Sequence, residues 1–401
     1  MADIPKIRFK GFSEGWEKRK LGEITGKIYG GGTPKTSVQE YWNGNIPWIQ
    51  SSNLFEHELF SLNVQKHITK LGLQKSAAQL VPKNSIAVVS HVGVGKIVFV
   101  PFDYTTSQDF ISLSELSSNP IFTCYLIYKK LQEDLHIVQG SAIKGITKDD
   151  LLSKEVMIPN LAEQEKIGGV LQNLDHLITL HQHKCDETKE LKKYMLQKMF
   201  PKNGEKIPEI RFIGFTDDWE QRKFGDIGSV SMCKRIFKDE TSDDGDIPFY
   251  KIRTFGGEPD AYISRELFEE YRAKFSYPKE GDILLSASGT IGRIVEYGGE
   301  EAYFQDSNIV WLSHEDSVSN KFLKILYTIV KWDGIEGSTI QRLYNDNFLK
   351  TRFMMPSLGE QEKLGAYFGH LDHLIMLHQH KCDELKEVKK FMLQNMFPQK
   401  G

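Results

Sequence analysis

The chain has few cysteines and lacks long apolar runs, and these absences exclude whole classes of protein. Its four cysteines include no CxxC pair in 401 residues, so no disulfide framework is expected. No apolar run approaches the roughly 18 residues that a membrane helix needs. The first ten residues also lack the apolar core of a signal peptide. We therefore expect a cytoplasmic protein without disulfides and without a membrane partner.

Catalytic motifs are missing as well. The chain contains no Asp/Asn-Pro-Pro-aromatic element of the amino-methyltransferase kind and no PD-spacer-ExK signature of a nuclease. The glycine loop at 93–96 lacks the spacing of a phosphate-binding loop, and the glycines at 30–32 open no helix. Carboxylates such as Asp103 and Asp109 fit turns and caps better than a metal site. We expect no catalytic residue, metal or cofactor in this chain.

An excess of basic charge is also absent. The 51 basic and 54 acidic side chains give a net charge of −3. A protein that holds a long stretch of DNA by itself should be basic. A nucleic-acid function therefore requires either that basic residues cluster on one face or that a partner supplies much of the phosphate contact.

What the chain does have is a tandem duplication. Residues 161–201 and 358–398 are identical at 29 of 41 positions, and residues 4–24 match residues 207–227. Between these matched segments the two halves differ almost everywhere. Repeated segments that are kept while the sequence between them varies are typical of a protein whose two halves recognise two different targets.

Both 41-residue segments are predicted to be long helices. Asn160 and Glu163, like Ser357 and Glu360, have the spacing of a capping box, in which the cap oxygen and the glutamate each satisfy a free amide. Each segment ends at a Phe-Pro pair, because proline cannot continue a helix. Apolar residues recur every three or four positions over about 55 Å. We expect the two helices to pair antiparallel; the alternative is that each stripe packs on its own globular half.

The middle of each helix is polar, and two interpretations stay open. His181, Cys185, His378 and Cys382 would converge if antiparallel helices crossed near their midpoints. Two cysteines and two histidines are able to hold zinc. A polar layer that fixes the register of the helices explains the same residues without a metal.

Each variable half is predicted to be one mixed α/β domain. Runs of β-branched residues flank a glycine loop after Asn84 and again after Gly281, which indicates strand, turn, strand. Trp16 and Trp219 occupy matched Gly-Phe-x-x-x-Trp segments, so we assign them to packing against the helix pair.

The order of these features resembles the specificity subunit of type I restriction-modification systems. The resemblance rests on GGGTP and EYWNGNIPW in a variable domain, EQEKI leading into a long helix, and a repeat of the same arrangement. It implies a fold of two globular target recognition domains of mixed α/β (α+β) structure, separated by two antiparallel helices with a pseudo-two-fold repeat. The implied boundaries are 1–158 and 204–355 for the domains, and 159–203 and 356–401 for the helices and linker.

The resemblance also implies a function and partners. Each domain would read one half of a split, asymmetric double-stranded DNA target, and the helices would set the gap between the halves. Two methyltransferase (modification) subunits would carry S-adenosylmethionine and methylate adenine N6. Restriction subunits with translocase activity would use ATP and Mg²⁺. The chain itself would be non-catalytic. A coiled-coil scaffold with two ligand-binding domains that touch no DNA is the alternative.

Base edges are read mainly by Arg, Lys, Asn, Gln and Ser side chains on loops, so the loops at matched positions hold the candidate DNA contacts. For each lysine the alternative is a solvated surface charge, and for the glycines a tight turn. The candidates in the first half are Gly31, Thr33, Lys35, Thr36, Ser90, His91, Lys96, Ser141 and Lys144. Those in the second half are Lys234, Arg235, Lys238, Ser286, Ser288, Thr290, Arg293, Gln341 and Arg342. Lys96 and Arg293 occupy equivalent positions, which favours a shared phosphate contact.

Overall fold

The computed structural model describes residues 4–137, 145–202, 204–334 and 342–398, and it divides into two compact units. The first unit comprises Met1–His183 and Gln379–Gly401, and the second comprises Lys184–His378. Each long helix contributes one part to each unit. The predicted boundaries of the four segments stay a prediction.

Within its described residues, the first unit arranges its strands in three small sheets. A four-stranded antiparallel sheet has the order β2-β8-β5-β6, a three-stranded sheet has the order β4-β3-β7, and β1 pairs with β9. Strands β3 and β7 are parallel. The elements are β1 (Glu17–Lys20), β2 (Thr25–Gly30), β3 (Trp42–Ile49), β4 (Lys66–Ile68), α1 (Lys70–Gln74), β5 (Ser85–Val89), β6 (Ile97–Val100), β7 (Thr105–Thr106), β8 (Phe110–Leu116), α2 (Pro120–Ile137), α3 (Lys148–Leu152), β9 (Glu155–Ile158) and α4 (Leu161–Lys198).

The second unit repeats this topology strand for strand. Its sheets have the orders β11-β17-β14-β15 and β13-β12-β16, and β10 pairs with β18. The elements are β10 (Glu220–Lys223), β11 (Gly228–Ser231), β12 (Ile247–Tyr250), β13 (Tyr262–Ile263), α5 (Arg265–Lys274), β14 (Ile283–Ser286), β15 (Ile294–Glu296), β16 (Tyr303–Phe304), β17 (Ile309–His314), α6 (Asn320–Ile329), α7 (Asn345–Lys350), β18 (Arg352–Met355) and α8 (Leu358–Asn395).

The predicted strand, turn and strand around each glycine loop is confirmed. Strand β5 pairs antiparallel with β6, and β14 pairs antiparallel with β15. Gly93 and Gly289 in the connecting loops have φ angles of +87° and +67°. Glycine is suited to these positions because it adopts the left-handed region without a steric penalty.

Each long helix begins with a buried glutamate that an arginine neutralises. Glu163 receives two hydrogen bonds from Arg8, at 2.7 and 2.8 Å. In the second unit Arg211 donates two bonds of 2.8 Å to Glu360. The predicted capping boxes are therefore wrong for the glutamate side chain at both helices, because each carboxylate bonds to an arginine, and at the second helix the Glu360 amide donates to the backbone carbonyl of Ser357. Asn160 does accept a bond from the Glu163 amide at 3.0 Å, but the carboxylate turns to Arg8, because a guanidinium compensates a buried charge better than a neutral amide does.

The glutamine after each glutamate fixes the neighbouring helix. Gln164 Oε1 accepts a hydrogen bond of 2.8 Å from the amide of Asn119, just before α2. Gln361 Oε1 accepts the corresponding bond of 3.0 Å from the amide of Ser319, just before α6. The duplicated Glu-Gln pair therefore holds each domain to the start of its long helix in the same way.

In the first unit, the early part of α4 and the late part of α8 run antiparallel. Lys389 Nζ lies 2.5 Å from Asp175 Oδ1. Three residues later on α4, the carbonyl of Ile178 accepts a bond of 3.9 Å from the Cys382 thiol, seven residues earlier on α8. Opposite chain directions are required for both contacts.

The second unit repeats this pairing with the other two helix parts. Lys192 Nζ lies 2.5 Å from Asp372 Oδ1, and the Cys185 thiol donates to the Ile375 carbonyl at 3.8 Å. The predicted antiparallel pairing is confirmed in each unit. The alternative, in which each apolar stripe packs on its own globular half, also holds in part, because Ile167 and Leu171 of α4 belong to the apolar core of the first unit.

The polar centre of the helices does not gather a metal-binding group. Across the described ranges, no cluster of three or more His, Cys, Asp or Glu side chains is arranged to hold a metal ion. The thiols of Cys185 and Cys382 donate to helix carbonyls instead. This arrangement favours the polar layer over the zinc site.

Aromatic clusters anchor the helix ends, as expected for the matched tryptophans. Trp16 lies edge-on to Phe122 and Phe397, with ring centres 5.8 and 6.1 Å apart. In the second unit Trp219 lies edge-on to Phe200, at 5.7 Å. The Phe-Pro end of α8 thus packs in the first unit and that of α4 in the second. Among the described residues, no helix is both long and apolar enough to cross a membrane.

Candidate nucleic-acid interface

Three loops of the first unit are joined into one surface: residues 31–36, 90–96 and 105–109. The Gly32 amide donates to the Thr106 carbonyl at 2.8 Å, and Thr33 Oγ1 donates to Gln108 Oε1 at 2.6 Å. A Cβ atom at Gly31 would lie 1.7 Å from the Ser107 carbonyl oxygen. The sequence needs glycine here because the two backbones touch.

The third loop joins this surface through Ser90. Its amide and its hydroxyl both donate to the Asp109 carbonyl, at 2.7 and 2.8 Å, and its hydroxyl lies 2.9 Å from His91 Nδ1. Ser90 is buried, whereas His91 is exposed. This geometry favours Ser90 as a loop-shaping residue and His91 as a surface contact.

Of the other candidates in the first unit, Thr33, Lys35 and Thr36 are exposed and Gly31 is half-buried. Lys96 is half-buried, and its Nζ donates to the Leu54 carbonyl at 3.1 Å. Ser141 and Lys144 lie outside the described residues.

The glycine loop of the second unit has a different internal bonding. Ser286 Oγ donates to the Thr290 carbonyl at 2.6 Å and accepts the Arg293 amide at 2.8 Å. Ser288 Oγ donates to Asn308 Oδ1 at 2.6 Å. Both serines are buried, so this geometry favours loop-shaping roles for them. Thr290 at the tip of the loop is exposed.

The remaining candidates of the second unit are exposed cations. Lys234 Nζ lies 5.1 Å from the centre of the Phe275 ring, and Arg235 Nε donates to Asp306 Oδ2 at 2.9 Å. Lys238 begins a short 3-10 helix. Arg342 forms an isolated β-bridge with Ser288, which brings it beside the glycine loop. Gln341 lies outside the described residues.

Lys96 and Arg293 share a role that sequence reasoning did not foresee. Arg293 Nη1 donates to the Phe255 carbonyl at 2.8 Å, as Lys96 does to that of Leu54. Leu54 and Phe255 each lie six residues after the matched aromatic residue of β3 or β12. Each cation therefore holds the same neighbouring loop. Their contact with phosphate stays a prediction.

Sequence reasoning missed Gln108, an exposed residue bonded to Thr33 in the middle of the first surface. The signal for it was the Gln-Asp dipeptide that recurs as Gln305-Asp306. In the second unit Gln305 is turned inward instead, and its Oε1 accepts the Ile252 amide at 2.8 Å. The glutamine of the same dipeptide is therefore exposed on the loop surface in the first unit and bonded to the backbone in the second.

The exposed groups on these loops are amide, hydroxyl, imidazole and cationic side chains. Such groups bind base edges and phosphate oxygens. The nearby thiol is unsuited to covalent chemistry, because burial raises the pKa of Cys233 to about 12 and keeps it protonated.

Comparison with known proteins agrees with this geometry. The family profile of the type I restriction modification DNA specificity domain matches residues 13–190 and 216–387. The chain therefore belongs to this family and carries its domain twice, which confirms the resemblance. A structural likeness covers 99% of this chain and 100% of a type I restriction-modification S subunit from M. genitalium, with a TM-score of 0.65 at 14% identity, and it shows the fold.

Two curated relatives are specificity subunits by name. A Haemophilus influenzae protein assigned as a type I restriction enzyme specificity subunit is 48% identical over 237 residues, which cover 59% of this chain and 60% of that protein. A Methanocaldococcus jannaschii specificity subunit is 26% identical over 315 residues, 72% of this chain and 68% of its own length. The DNA-recognition role belongs to the family, and the scaffold without DNA binding finds no support.

Proposed function

We propose that this chain is the sequence-specificity subunit of a type I restriction-modification complex. Each unit reads one half of a split, asymmetric DNA target. The observation that carries this proposal is a duplicated frame with unlike recognition loops. The arginine–glutamate pairs, the glutamine bonds and the aromatic clusters recur in both units, whereas the exposed loop residues differ.

The two loop surfaces offer different donor and acceptor sets. The first presents Thr33, Lys35, Thr36, His91 and Gln108, a mixture of hydroxyl, amide, imidazole and one cation. The second presents mainly cations. Each base pair has its own pattern of donors and acceptors in the major groove, so unlike sets select unlike half-sites. The exposed candidate side chains of the second unit, which form this second set, are Lys234, Arg235, Lys238, Thr290, Arg293 and Arg342.

The partners are two copies of a modification subunit. Leu191 and Tyr194 of α4 are exposed, and so are Val388 and Phe391 at the same positions of α8, 197 residues later. Exposed aromatic and aliphatic residues on a helix are typical of a protein interface. Two equal patches suit two equal partners, and such partners would add the positive charge that this chain lacks for holding DNA.

The catalytic steps are carried out by the partner subunits. The modification subunits bind S-adenosylmethionine and methylate adenine N6, and restriction subunits use ATP and Mg²⁺ for translocation and cleavage. The chain contributes binding and orientation, and this division of roles is supported by the burial of its four cysteines and by ion pairs that hold helices in place.

Co-expression with a modification subunit tests the proposal. Sequencing of methylated adenines in the host DNA should reveal one motif with two unlike half-sites and a gap of fixed length. A chain lacking residues 184–378 should give no such motif. Methylation at a single uninterrupted site, or methylation unchanged by loss of this chain, would overturn the proposal.

A further inference from the structure

The duplicated aspartate–lysine pair on the long helices is covered in one unit and open in the other. Asp175 and Lys389 of the first unit are 16% and 11% exposed. Asp372 and Lys192 of the second unit are 45% and 22% exposed, although both pairs have the same 2.5 Å separation. Something in the first unit therefore shields a pair that the second unit leaves accessible.

Two tyrosines of α2 provide the shield. Tyr125 donates its hydroxyl hydrogen to Asp175 Oδ2 at 2.5 Å. The rings of Tyr125 and Tyr128 have their centres 5.9 and 6.0 Å from Lys389 Nζ. Burial, and then the Asp175 charge, raises the pKa of Tyr125 far above its ordinary value and that of Tyr128 to about 12. Both hydroxyls thus stay protonated.

The second unit has smaller, non-aromatic side chains at the same places. The amides of Asn119 and Ser319 make the same bond to the duplicated glutamine, which aligns α2 with α6. Ile325 and Thr328 then correspond to Tyr125 and Tyr128. The space that the tyrosines would fill is a cleft of about 570 Å³ between α6, β15 and α8, within the usual size of a ligand site.

Among the described residues of the second unit, the segment that covers the outer strand edge in the first unit has no equivalent. In the first unit the Phe99 amide, on the outer edge of β6, donates to the Leu59 carbonyl at 2.9 Å, and the Phe60 ring lies 5.6 Å from that of Tyr125. The matched residue on β15 is Glu296, and among the described residues its amide has no such bond to another segment. The connection between Leu54 and β4 is also five residues longer than its counterpart between Phe255 and β13.

We propose that this cleft receives an extended segment of the modification subunit that presents a tyrosine, an inference that rests on the proposed function. The tyrosine hydroxyl donates to Asp372 and its ring lies against Lys192, as Tyr125 does with Asp175 and Lys389. The backbone of the segment bonds to the free edge of β15 at Glu296, a common mode of peptide recognition. The first unit supplies these groups from its own chain.

Continuity with the exposed patch on α4 points to this partner. Lys192 lines the cleft, and the exposed Leu191 and Tyr194 flank it on the same helix. A modification subunit bound to that patch is therefore within reach of the cleft. The corresponding place in the first unit is occupied, so only one of the two modification subunits gains this contact.

Filling the cleft tests the proposal. The double variant Ile325→Tyr/Thr328→Tyr rebuilds the arrangement of the first unit, and Glu266→Tyr/Glu269→Tyr on the exposed face of α5 is the matched control. Native mass spectrometry of the full chain titrated with modification subunit should show two bound copies for wild type and control. The filled variant should bind its first copy normally and its second at least tenfold more weakly.

Other outcomes separate the possible failures. Two copies bound to the filled variant with wild-type affinity would overturn the cleft proposal and leave the proposed function standing, whereas wild type that binds no modification subunit would overturn both. A homodimer of wild type alone that the filled variant loses would show that a second copy of this chain occupies the cleft, against the proposal. If the filled variant does not fold, as judged by its melting temperature, Asp372→Asn replaces it and should selectively weaken the second copy.

Discussion

Removing the guanidinium of Arg8 should destabilise the first unit far more than an ordinary surface substitution. The Glu163 side chain is 0% exposed and Arg8 is 11% exposed, so the carboxylate depends on this one partner for its charge compensation. The bond to Glu163 also raises the pKa of Arg8, so the guanidinium stays charged at any ordinary pH. In Arg8→Met the carboxylate would stay buried and uncompensated.

The magnitude follows from this burial. Breaking a buried ion pair by removal of one partner costs about 3–5 kcal/mol. For a unit of roughly 200 residues, each kcal/mol lowers the melting temperature by about 2–4 °C. Arg8→Met should therefore lower the melting transition of the first unit by about 6–20 °C. The double variant Arg8→Met/Glu163→Met should recover most of this loss, because no unpaired charge remains.

Calorimetry combined with hydrogen exchange measures the effect and its location. Exchange should accelerate at the start of α4 in Arg8→Met and stay unchanged at the start of α8. Arg19→Met is the matched control, since Arg19 pairs with Glu17 where both are more than half exposed, and exposed pairs contribute under about 1 kcal/mol. Equal destabilisation by Arg8→Met and Arg19→Met would refute the reasoning, and so would a double variant as unstable as the single one.

Three further predictions concern packing, DNA and the helices. Phe397→Ala removes a ring packed against Trp16 and Phe122 and should cost the first unit about 3–5 kcal/mol in a denaturation experiment, whereas an unchanged stability would contradict the anchoring role. Lys238→Ala should weaken binding to all duplexes alike and lower the slope of log K against log salt by about 1, and a change confined to one base position would instead indicate base reading. Lengthening both α4 and α8 by seven residues should change the gap of the methylated motif and keep both half-sites, as sequencing of methylated adenines would reveal.

The long helices and the strand, turn and strand segments could be predicted because the sequence patterns that indicate them are local or repeated. A stripe of apolar residues every three or four positions, closed by a Phe-Pro pair, indicates a helix without knowledge of its surroundings. The β-branched runs around Gly93 and Gly289 likewise carry their own turn. Antiparallel pairing followed from the duplication, since the partner of each helix was its own copy.

The long-range contacts could not be predicted from these signals. Glu163 has the spacing of a capping residue, and nothing local shows that Arg8, 155 residues earlier, competes for its carboxylate. Ser90 and Ser286, at the glycine loops, are residues of a type that reads base edges, yet both hydroxyls are turned inward and bond to backbone carbonyls. Burial depends on the fold around a loop, so the sequence of the loop alone does not determine it.

We infer that two domains of different DNA specificity are held on the same duplicated helices. The most direct test of this inference is an exchange of recognition regions. The segment between β10 and β18 of the second unit would be replaced by the segment between β1 and β9 of the first, since these strand pairs match. Sequencing of methylated adenines in a host that expresses this chimera with a modification subunit should give a motif whose two half-sites are copies of one another, with the original gap. Retention of the original second half-site in an active, folded chimera would contradict the account.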